Sequence, residues 1–550
     1  MGLISALNSG LTSLLSHQKM VEVTGNNIAN VNTPGYSRQS ATLSPQPAVK
    51  IQGLYFGQGV NVESVNREYD RFISGRLFDQ SDILGRESAK SGPLAEIERV
   101  IGIGENSLAS DIERFFGAWH DLSQNPSGTV EREQVIYMGE NLLDSFRSTR
   151  AELVSVGQNI NDSLNAEVNG INLKLREIAA LNESIKSKET LGHAANTDLD
   201  RRELLIKELS NTIGIQTYDI GGNQVGVQLP GGIPLVQGST AFEFQSYYAG
   251  DTLRFQVKSG DLALQAERSN FGGEFRGLLD VRDGFIPELT QDLNALQYAL
   301  VTEVNARHEA GYGLDGLTGR SFFSGPESWR SDTGSNDPEA LVFSTGTLAI
   351  NGVDVTLVDG DNSLNGLRDA INNADAGVLA SVVYDGATYH LSVTPETEGM
   401  EPLITGLVSS VGDPVVFNHE EGSDASAVAI TSVQAVASAG VTQGAPGDNE
   451  NALAIHSLKD SPIMGGKESF IDRYGRMAAT VGTETRRNTM AHGGAEDTMN
   501  QLQNLREAIV GVSIDEEMIN LTMFQKGFEA AARFVSTVDE MMTTIIGIKR

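Results

Sequence analysis

The motif in this chain that most resembles a ligand-binding site is Gly311-x-Gly313-x-x-Gly316. It matches the glycine fingerprint of dinucleotide-binding proteins at every glycine. That fingerprint functions only between a β-strand and a helix N-terminus, because the N–H groups of the helix bind the pyrophosphate. Here the glycines follow a predicted helix and lead into Leu317-Thr318-Gly319-Arg320. We therefore predict a loop that ends a helix, and not a nucleotide site.

Candidate metal ligands are also poorly placed. Asp359-Gly360-Asp361-Asn362 begins like a calcium loop, but Leu364 and Ala370 stand where such a loop needs glycine and a bidentate glutamate. The 8 histidines are scattered, and the chain has no cysteine. Neither a Gly-x-Ser-x-Gly elbow nor a Walker loop occurs. We predict no catalytic residue, no metal and no cofactor, and hence no enzyme.

Bulk composition excludes two further classes of partner. The net charge of −32 over 550 residues repels nucleic acid and anionic lipid. The length suits three or four domains. No apolar segment resembles a secretory signal, and the longest uncharged stretch, 425–447, is too polar to span a bilayer.

The elements that organise the chain lie at its two ends, where apolar residues recur at steps of three and four. This predicted seam consists of Ile4, Leu7, Leu11, Leu14, Val21 and Ile28, and of Leu521, Phe524, Phe528, Ala531, Val535, Val538, Met542 and Ile545. A heptad seam requires a partner helix, and lone helices of this length are marginal in water. We expect both ends to be largely disordered in the monomer and to fold on assembly, the alternative being a stable helix pair within one chain.

A turn motif follows the first seam and consists of Asn30, Asn32, Thr33, Pro34, Gly35 and Tyr36. Asparagine is poor in a helix interior but tolerates helix ends, so the helix is expected to stop near Asn30. Pro34 favours extended backbone at Thr33, and Pro-Gly suits the centre of a type II turn. The chain should therefore turn sharply here into an extended stretch.

The middle of the chain alternates between helical and β patterns. Apolar spacing predicts a long helix over 148–188, a second one capped by Asn196-Thr197-Asp198, and a third over 286–308. Hairpins are expected over 213–276. Within a β-rich insert, 348–355 is predicted as a strand, Ser363 as a helix cap and Asp385-Gly386 as a hairpin turn. From 450 onward the pattern is helical, with a break at Gly511.

These patterns predict an α+β multi-domain fold in three parts. Terminal helices pair as a coiled coil over 1–33 and 512–550. A long-helix and mixed middle layer covers 34–329 and 446–511, and the β-rich outer domain is inserted at 330–445 with a β-α-β-β module at 348–394.

Two motifs at opposite ends of the chain carry a family resemblance. Gly25-Asn26-Asn27-Ile28-Ala29-Asn30-Val31-Asn32-Thr33-Pro34-Gly35-Tyr36 resembles the N-terminal signature of the flagellar rod, hook and hook-associated proteins, and its Ser37-Arg38 ending is most similar to the hook-associated members. Gly511-Val512-Ser513-Ile514-Asp515-Glu516-Glu517-Met518, with the seam residues that follow, resembles the C-terminal motif of the same family. The module at 348–394 is similar to one found in flagellins and hook-associated proteins.

The resemblance implies a structural component of the bacterial flagellum at the junction between hook and filament. Its expected partners are copies of itself in a ring, hook protein on one side, a second hook-associated protein on the filament side, and an export chaperone on residues 510–550. It implies an extracellular location reached through flagellar type III export without a cleaved signal. The terminal helices would form the inner tube, Pro34-Gly35 the exit corner and the insert the outer surface. The alternatives are a hook protein, or a flagellum-borne adhesin that uses the insert.

Overall fold

The structure is a computed structural model. It describes residues 2–51, 54–249, 252–260, 262–324, 327–338, 340–358, 362–374, 376–384, 388–395, 402–410, 412–421, 426–463 and 467–548. Among the sequence predictions, the calcium-like Asp359-Gly360-Asp361 and the turn at Asp385-Gly386 lie outside the described residues.

The α-helices account for most of the regular structure. Their bounds are α1 Gly2–Ala29, α2 Arg71–Val100, α3 Leu108–Gln124, α4 Thr129–Thr190, α5 Asn196–Ile213, α6 Gly273–Asp280, α7 Ile286–Ala310, α8 Leu364–Asn372, α9 Glu450–Ser457, α10 Phe470–Val510 and α11 Ile514–Ile548. A π-helical turn, Val281–Phe285, joins α6 to α7.

The strands form several small antiparallel sheets. Their bounds are β1 Gln39–Pro45, β2 Val49–Ile51, β3 Leu54–Phe56, β4 Val60–Arg67, β5 Gln216–Gly221, β6 Gln224–Gln228, β7 Pro234–Gln237, β8 Thr240–Ala241, β9 Glu243–Ala249, β10 Thr252–Ser259, β11 Leu262–Ala266, β12 Glu327–Ser335, β13 Gly346–Ile350, β14 Val353–Leu357, β15 Val378–Tyr384, β16 Tyr389–Pro395, β17 Ile404–Thr405 and β18 Phe417–Glu421. The sheet orders are β1-β4, β2-β3, β5-β6-β7-β8, β11-β10-β9, β15-β16-β12-β18 and β14-β13-β17.

One compact unit consists of Met1–Pro93, Ile160–Val281 and Arg487–Arg550. In it, α1 packs along α11, and the β1-β4 ribbon lies beside α1, where Ser16 donates a hydrogen bond to the carbonyl of Val60 at 3.3 Å. Asn172 of α4 fixes the sheet of β9 to β11, because its amide both donates to and accepts from the backbone of Phe244, at 2.7 and 2.9 Å.

The other compact unit consists of Leu94–Asn159 and Arg282–Arg486. Aromatic side chains from α3 and from the segment after α7 fill one of its cores, namely Phe115, Phe116, Trp119, Phe322 and Phe323. The insert has its own core, in which Leu364, Leu367 and Ile371 of α8 pack against the strands. The three-domain division proposed from the sequence follows different boundaries from these two units and stays a prediction.

The α+β fold and the paired terminal helices are confirmed, while three local expectations need correction. The long helix is 62 residues and begins at Thr129, well before 148. No side chain caps α5, whose N-cap residue is Ala195. The stretch 348–355 is two strands, because Asn351 and Gly352 adopt positive φ angles of 50° and 83° and turn β13 into β14. Ser363 caps α8 as expected, accepting from the N–H of Gly366 at 3.0 Å.

His308, on α7, is a fully buried and neutral histidine. Its Nε2 accepts from the N–H of Ala437 at 3.0 Å, so its Nδ1 carries the proton and donates to the carbonyl of Arg320 at 2.6 Å. Burial lowers the pKa of His308 from 6.5 to about 4, because the charged imidazolium would lose its hydration. The neighbouring carbonyl of Arg320 opposes this shift only in part.

The buried His308 predicts an acid-sensitive stability. Between pH 6.5 and 4 the unfolded chain binds a proton that the folded chain does not, so the free energy of unfolding falls as the pH falls. We expect a loss of about 2 kcal/mol between pH 7 and pH 5. Urea unfolding followed by tryptophan fluorescence measures this loss of stability. Both tryptophans, Trp119 and Trp329, lie in the same compact unit as His308.

Two variants separate His308 from the other titrating groups. His308→Gln should remove most of this pH dependence at a cost in stability at pH 7, whereas His193→Gln, at an exposed position, should behave as the wild type. An unchanged pH profile in His308→Gln would contradict the assignment.

Candidate assembly surface

The helix pair of α1 and α11, hereafter the terminal pair, is in close contact through glycines. A Cβ added to Gly10 would lie 2.8 Å from Cγ2 of Val535, and one added to Gly527 would lie 2.4 Å from Cε1 of His17. Only glycine permits such an approach without displacing the neighbour. Glycine on each helix therefore sets the distance between the two helices.

The face of α1 that packs on α11 lies beside the predicted N-terminal seam. Gly10, Met20, Thr24 and Asn27 are buried, at positions spaced for one face of a helix. The predicted seam residues Leu7, Leu14, Val21 and Ile28 are half-buried, and Ile4 and Leu11 are exposed. Within one chain, α11 thus covers only part of the apolar surface of α1.

On α11 the predicted seam and the buried face largely coincide. Ala531 and Val538 are buried, and Leu521, Phe524, Val535 and Met542 are half-buried. Phe528 and Ile545 are exposed. A second set of apolar side chains on α11 is also exposed, namely Ile519, Met523, Phe534, Met541 and Ile546. The terminal pair therefore presents apolar side chains from both helices to solvent.

The turn motif has the geometry that the sequence predicts. The N–H of Tyr36 donates to the carbonyl of Thr33 at 3.1 Å, and Gly35 has a φ of 80°. Thr33 and Asn30 are linked to the helix end, because Thr33 Oγ1 donates to Asn30 Oδ1 at 3.2 Å and Asn30 Nδ2 donates to the carbonyl of Asn26 at 3.0 Å. Asn32 and Pro34 complete the turn, both with exposed side chains.

A buried polar cluster, which we call the joint, ties this turn to both terminal helices. It consists of Asn27, Tyr36, Arg38, Gln39 and Glu517. The amide of Asn27 donates to the carbonyl of Gln39 at 2.9 Å and to Glu517 Oε2 at 3.1 Å, and it accepts from Tyr36 Oη and from the N–H of Gln39, both at 2.9 Å. Arg38 Nε donates to Glu517 Oε1 at 2.8 Å.

The electrostatics of the joint keep the phenol of Tyr36 protonated. Burial and then the charges of Asp200 and Glu517 raise the pKa of Tyr36 to about 12, so the phenol remains a hydrogen-bond donor to Asn27 at neutral pH. Glu517 is buried but has Arg38 as a charged partner, which offsets the loss of its hydration.

A second ion cluster extends the joint to α5. Asp200 accepts from the N–H of Ser37 at 3.1 Å and from Arg67 at 2.9 Å, and Arg67 also pairs with Glu203 at 2.5 Å. Burial of the carboxyl group raises the pKa of Glu203, an effect that Arg67 opposes. These contacts hold the turn and the end of β4 against α5.

Sequence reasoning assigned Tyr36 to the turn motif but gave no role to Asn27, Arg38, Gln39 or Glu517. Asn27, Arg38 and Glu517 all lie inside the two family motifs, but a heptad search counts only apolar positions, and Asn27 and Glu517 are polar. The signal that could have found them is the density of polar residues immediately beside each seam.

The glycine fingerprint is the predicted helix-ending loop. Gly311 follows the end of α7, and a Cβ on Gly311 or Gly313 would collide with Asn451 or with the carbonyl of Gln434. Among the described residues, no group of three or more histidine, aspartate or glutamate side chains is arranged to hold a metal ion. None of the described helices combines the length and apolar character needed to cross a lipid bilayer.

Comparison with known proteins gives matches along the whole chain. Residues 94–323 match the model of the flagellar hook-associated protein FlgK helical domain. Residues 7–36 match the flagella basal body rod protein, 508–548 the flagellar basal body rod FlgEFG protein C-terminal region, and 341–396 the flagellin hook IN motif.

Full-length relatives agree with these matches. The chain is 26% identical to flagellar hook-associated protein 1 of Escherichia coli strain K12, over 99% of this chain and 100% of the relative. It is 24% identical to the protein of that name from Bacillus subtilis strain 168, over 98% and 97%. The chain is thus similar over nearly its full length to flagellar hook-associated protein 1.

A solved structure shows the same fold. The flagellar hook junction protein FlgK from Burkholderia pseudomallei matches with a TM-score of 0.57 and 17% identity, over 79% of this chain and all of that one. Members of the hook-associated protein 1 family are structural flagellar proteins, which agrees with the resemblance stated from the two terminal motifs.

The joint predicts that replacing Glu517 lowers local stability much more than replacing its neighbour Glu516. Glu517→Ala removes the buried charged partner of Arg38 and one of the two acceptors of the Asn27 amide, which should cost about 2–4 kcal/mol of local stability. Glu516→Ala is the matched control, since Glu516 is exposed and pairs with Arg38 only at 3.4 Å. Hydrogen exchange of residues 27–39 measures both, and equal protection in the two variants would contradict the role of Glu517.

Proposed function

We propose that this chain is the non-enzymatic adaptor that joins the flagellar hook to the filament. The observation that carries the proposal is the terminal pair, which packs the two ends of one chain together and still exposes apolar side chains on both helices. Full-length similarity to hook-associated protein 1 supports the same role. The Burkholderia relative is named as a hook junction protein, and we extend that role to this chain.

The exposed side chains of the terminal pair favour further copies of the same chain as partners. Ile4 and Leu11 on α1 are 55% and 48% exposed, and Ile545 on α11 is 54% exposed. Covering each such side chain stabilises an assembly by about 1.5–3 kcal/mol. We propose that the predicted seam, together with the turn motif at Pro34-Gly35, forms the contacts of a ring, with hook protein on one side and a second hook-associated protein on the other.

The exposed apolar side chains of α11 also matter before assembly, while the chain is being exported. An apolar α11 would aggregate before assembly unless another protein covers it. We propose that an export chaperone binds residues 510–550 and that the chain leaves the cell through flagellar type III export without a cleaved signal. Terminal helices that depend on partners suit passage through a narrow channel and later folding at the growing tip.

Electron microscopy of a strain that lacks the gene tests the junction role. We expect hooks of normal length without filaments, and flagellin shed as monomer into the medium. Missing hooks would place the protein in the hook itself, and intact filaments would leave surface decoration or adhesion by the insert. Either of these outcomes overturns the proposal.

Single charges in the seam should abolish assembly. Phe528→Asp and Val535→Asp each place a carboxylate on the apolar face of α11, so neither variant should restore filaments to the deletion strain. The fold of residues 34–510 should be retained, as measured by circular dichroism of the purified chain, with tryptophan fluorescence as a second readout for the unit that contains Trp119 and Trp329. Ser536→Asp, on the exposed face of α11, is the control and should restore filaments. Normal filaments in either seam variant would refute the seam.

A further inference from the structure

A cavity of about 590 Å³ lies where α5 begins, in the unit that contains the terminal pair. Its walls come from the first turns of α2, the start of α5 and the β5-β6 hairpin, and they include Arg67, Tyr69, Arg71, Ala195, Arg202 and Tyr218. This volume is typical of sites for small organic molecules. Neither the terminal pair nor its proposed role in assembly uses this cavity.

The N-terminus of α5 opens into the cavity without a cap. Ala195 at the N-cap position has no side-chain acceptor, and within the described residues the N–H groups of Asn196, Thr197 and Asp198 donate to no acceptor. The carboxylate of Asp198 is engaged elsewhere, by Ser184 at 2.7 Å and Lys188 at 2.6 Å. An uncapped helix N-terminus carries partial positive charge and favours an anion.

Arg202 is a second and independent feature of the same cavity. Its side chain is only 6% exposed, and its Nη1 donates to two neutral oxygens, Asn182 Oδ1 at 2.8 Å and the carbonyl of Asn223 at 2.6 Å. Its buried Nε has no hydrogen-bond partner, and in the described part of the chain no carboxylate forms an ion pair with it. Burial lowers the pKa of Arg202, and the nearby charges of Glu203 and Glu189 oppose this shift only in part.

Each carboxylate that lines the cavity already has an ion-pair or hydrogen-bond partner. Glu203 pairs with Arg67 at 2.5 Å, Glu189 accepts from Asn223 at 2.7 Å, and Asp219 accepts from the N–H of Gly221 at 2.8 Å. Phe78, Leu199 and Ile206 add apolar surface. The cavity thus combines a buried cation, free N–H donors and an apolar wall.

We propose that this cavity binds a small organic oxyanion, a carboxylate or phosphate group attached to an apolar body. The oxyanion would lie at the N-terminus of α5 beside Arg202, where charge-assisted hydrogen bonds are strongest. The apolar body would contact Phe78, Leu199 and Ile206. The inference concerns a ligand site separate from the assembly surface, and it stands whether or not the junction role holds.

Calorimetric titration of the purified full chain at low ionic strength tests the site with three probes: phenyl phosphate, inorganic phosphate and phenol. We expect saturable binding of phenyl phosphate, at least about tenfold weaker binding of inorganic phosphate, and no binding of phenol. Absence of saturable binding by phenyl phosphate, or equal binding of phenol, would overturn the proposal.

Two substitutions test whether Arg202 contributes to the binding of phenyl phosphate. Arg202→Gln should weaken phenyl phosphate binding at least about tenfold, whereas Arg201→Gln, at the exposed neighbour that pairs with Glu177, should leave it unchanged. If Arg202→Gln does not fold, Arg71→Gln removes an exposed guanidinium of the same cavity and should weaken binding about threefold or more. Unchanged affinity in the folded variant at either position would contradict the site.

Discussion

The structure depends first on the contact between the two ends of the chain. Residues about 500 positions apart meet where Gly10 faces Val535 and where His17 lies across Gly527. The joint completes this contact, because Glu517 on α11 binds both Asn27 at the end of α1 and Arg38 after the turn. The direction in which the chain leaves the terminal pair is thereby coupled to the pairing itself, since separation of the helices would break the hydrogen bond between Asn27 and Glu517 and the ion pair of Arg38 with Glu517.

Close approach of the two helices also explains why the terminal pair remains open to further partners. Gly10 on α1 and Gly527 on α11 lie in the contact between the two helices and contribute no apolar side chain to it. Leu11 on one helix and Phe534 and Met541 on the other remain 46–48% exposed. The two helices are thus paired, but part of their apolar surface remains exposed to solvent. Exposed apolar surface of this kind is typical of proteins that assemble with further partners.

The sequence was sufficient for the terminal helices, the type II turn and the helix-ending glycine loop, because each depends on local periodicity or on the φ preferences of proline and glycine. It was insufficient for the face of α1 that meets α11, since Gly10 and Asn27, which are small or polar, carry no hydrophobic signal. The turn at Asn351-Gly352 was missed because apolar residues on both sides read as one continuous strand. The partners of Arg202 and Glu517 come from distant segments, which a periodicity search does not detect.

The central claim is that the two ends of one chain pair with each other in the assembled flagellum. Because the chain has no cysteine, Gly10→Cys with Val535→Cys introduces one unambiguous cysteine pair at a contact close enough for a disulfide. After mild oxidation of isolated flagella, non-reducing electrophoresis should show an internally linked monomer that migrates faster than the reduced chain, and Gly25→Cys with Val535→Cys should not show it. Linked dimers and larger species, or no linkage at all, would contradict the account.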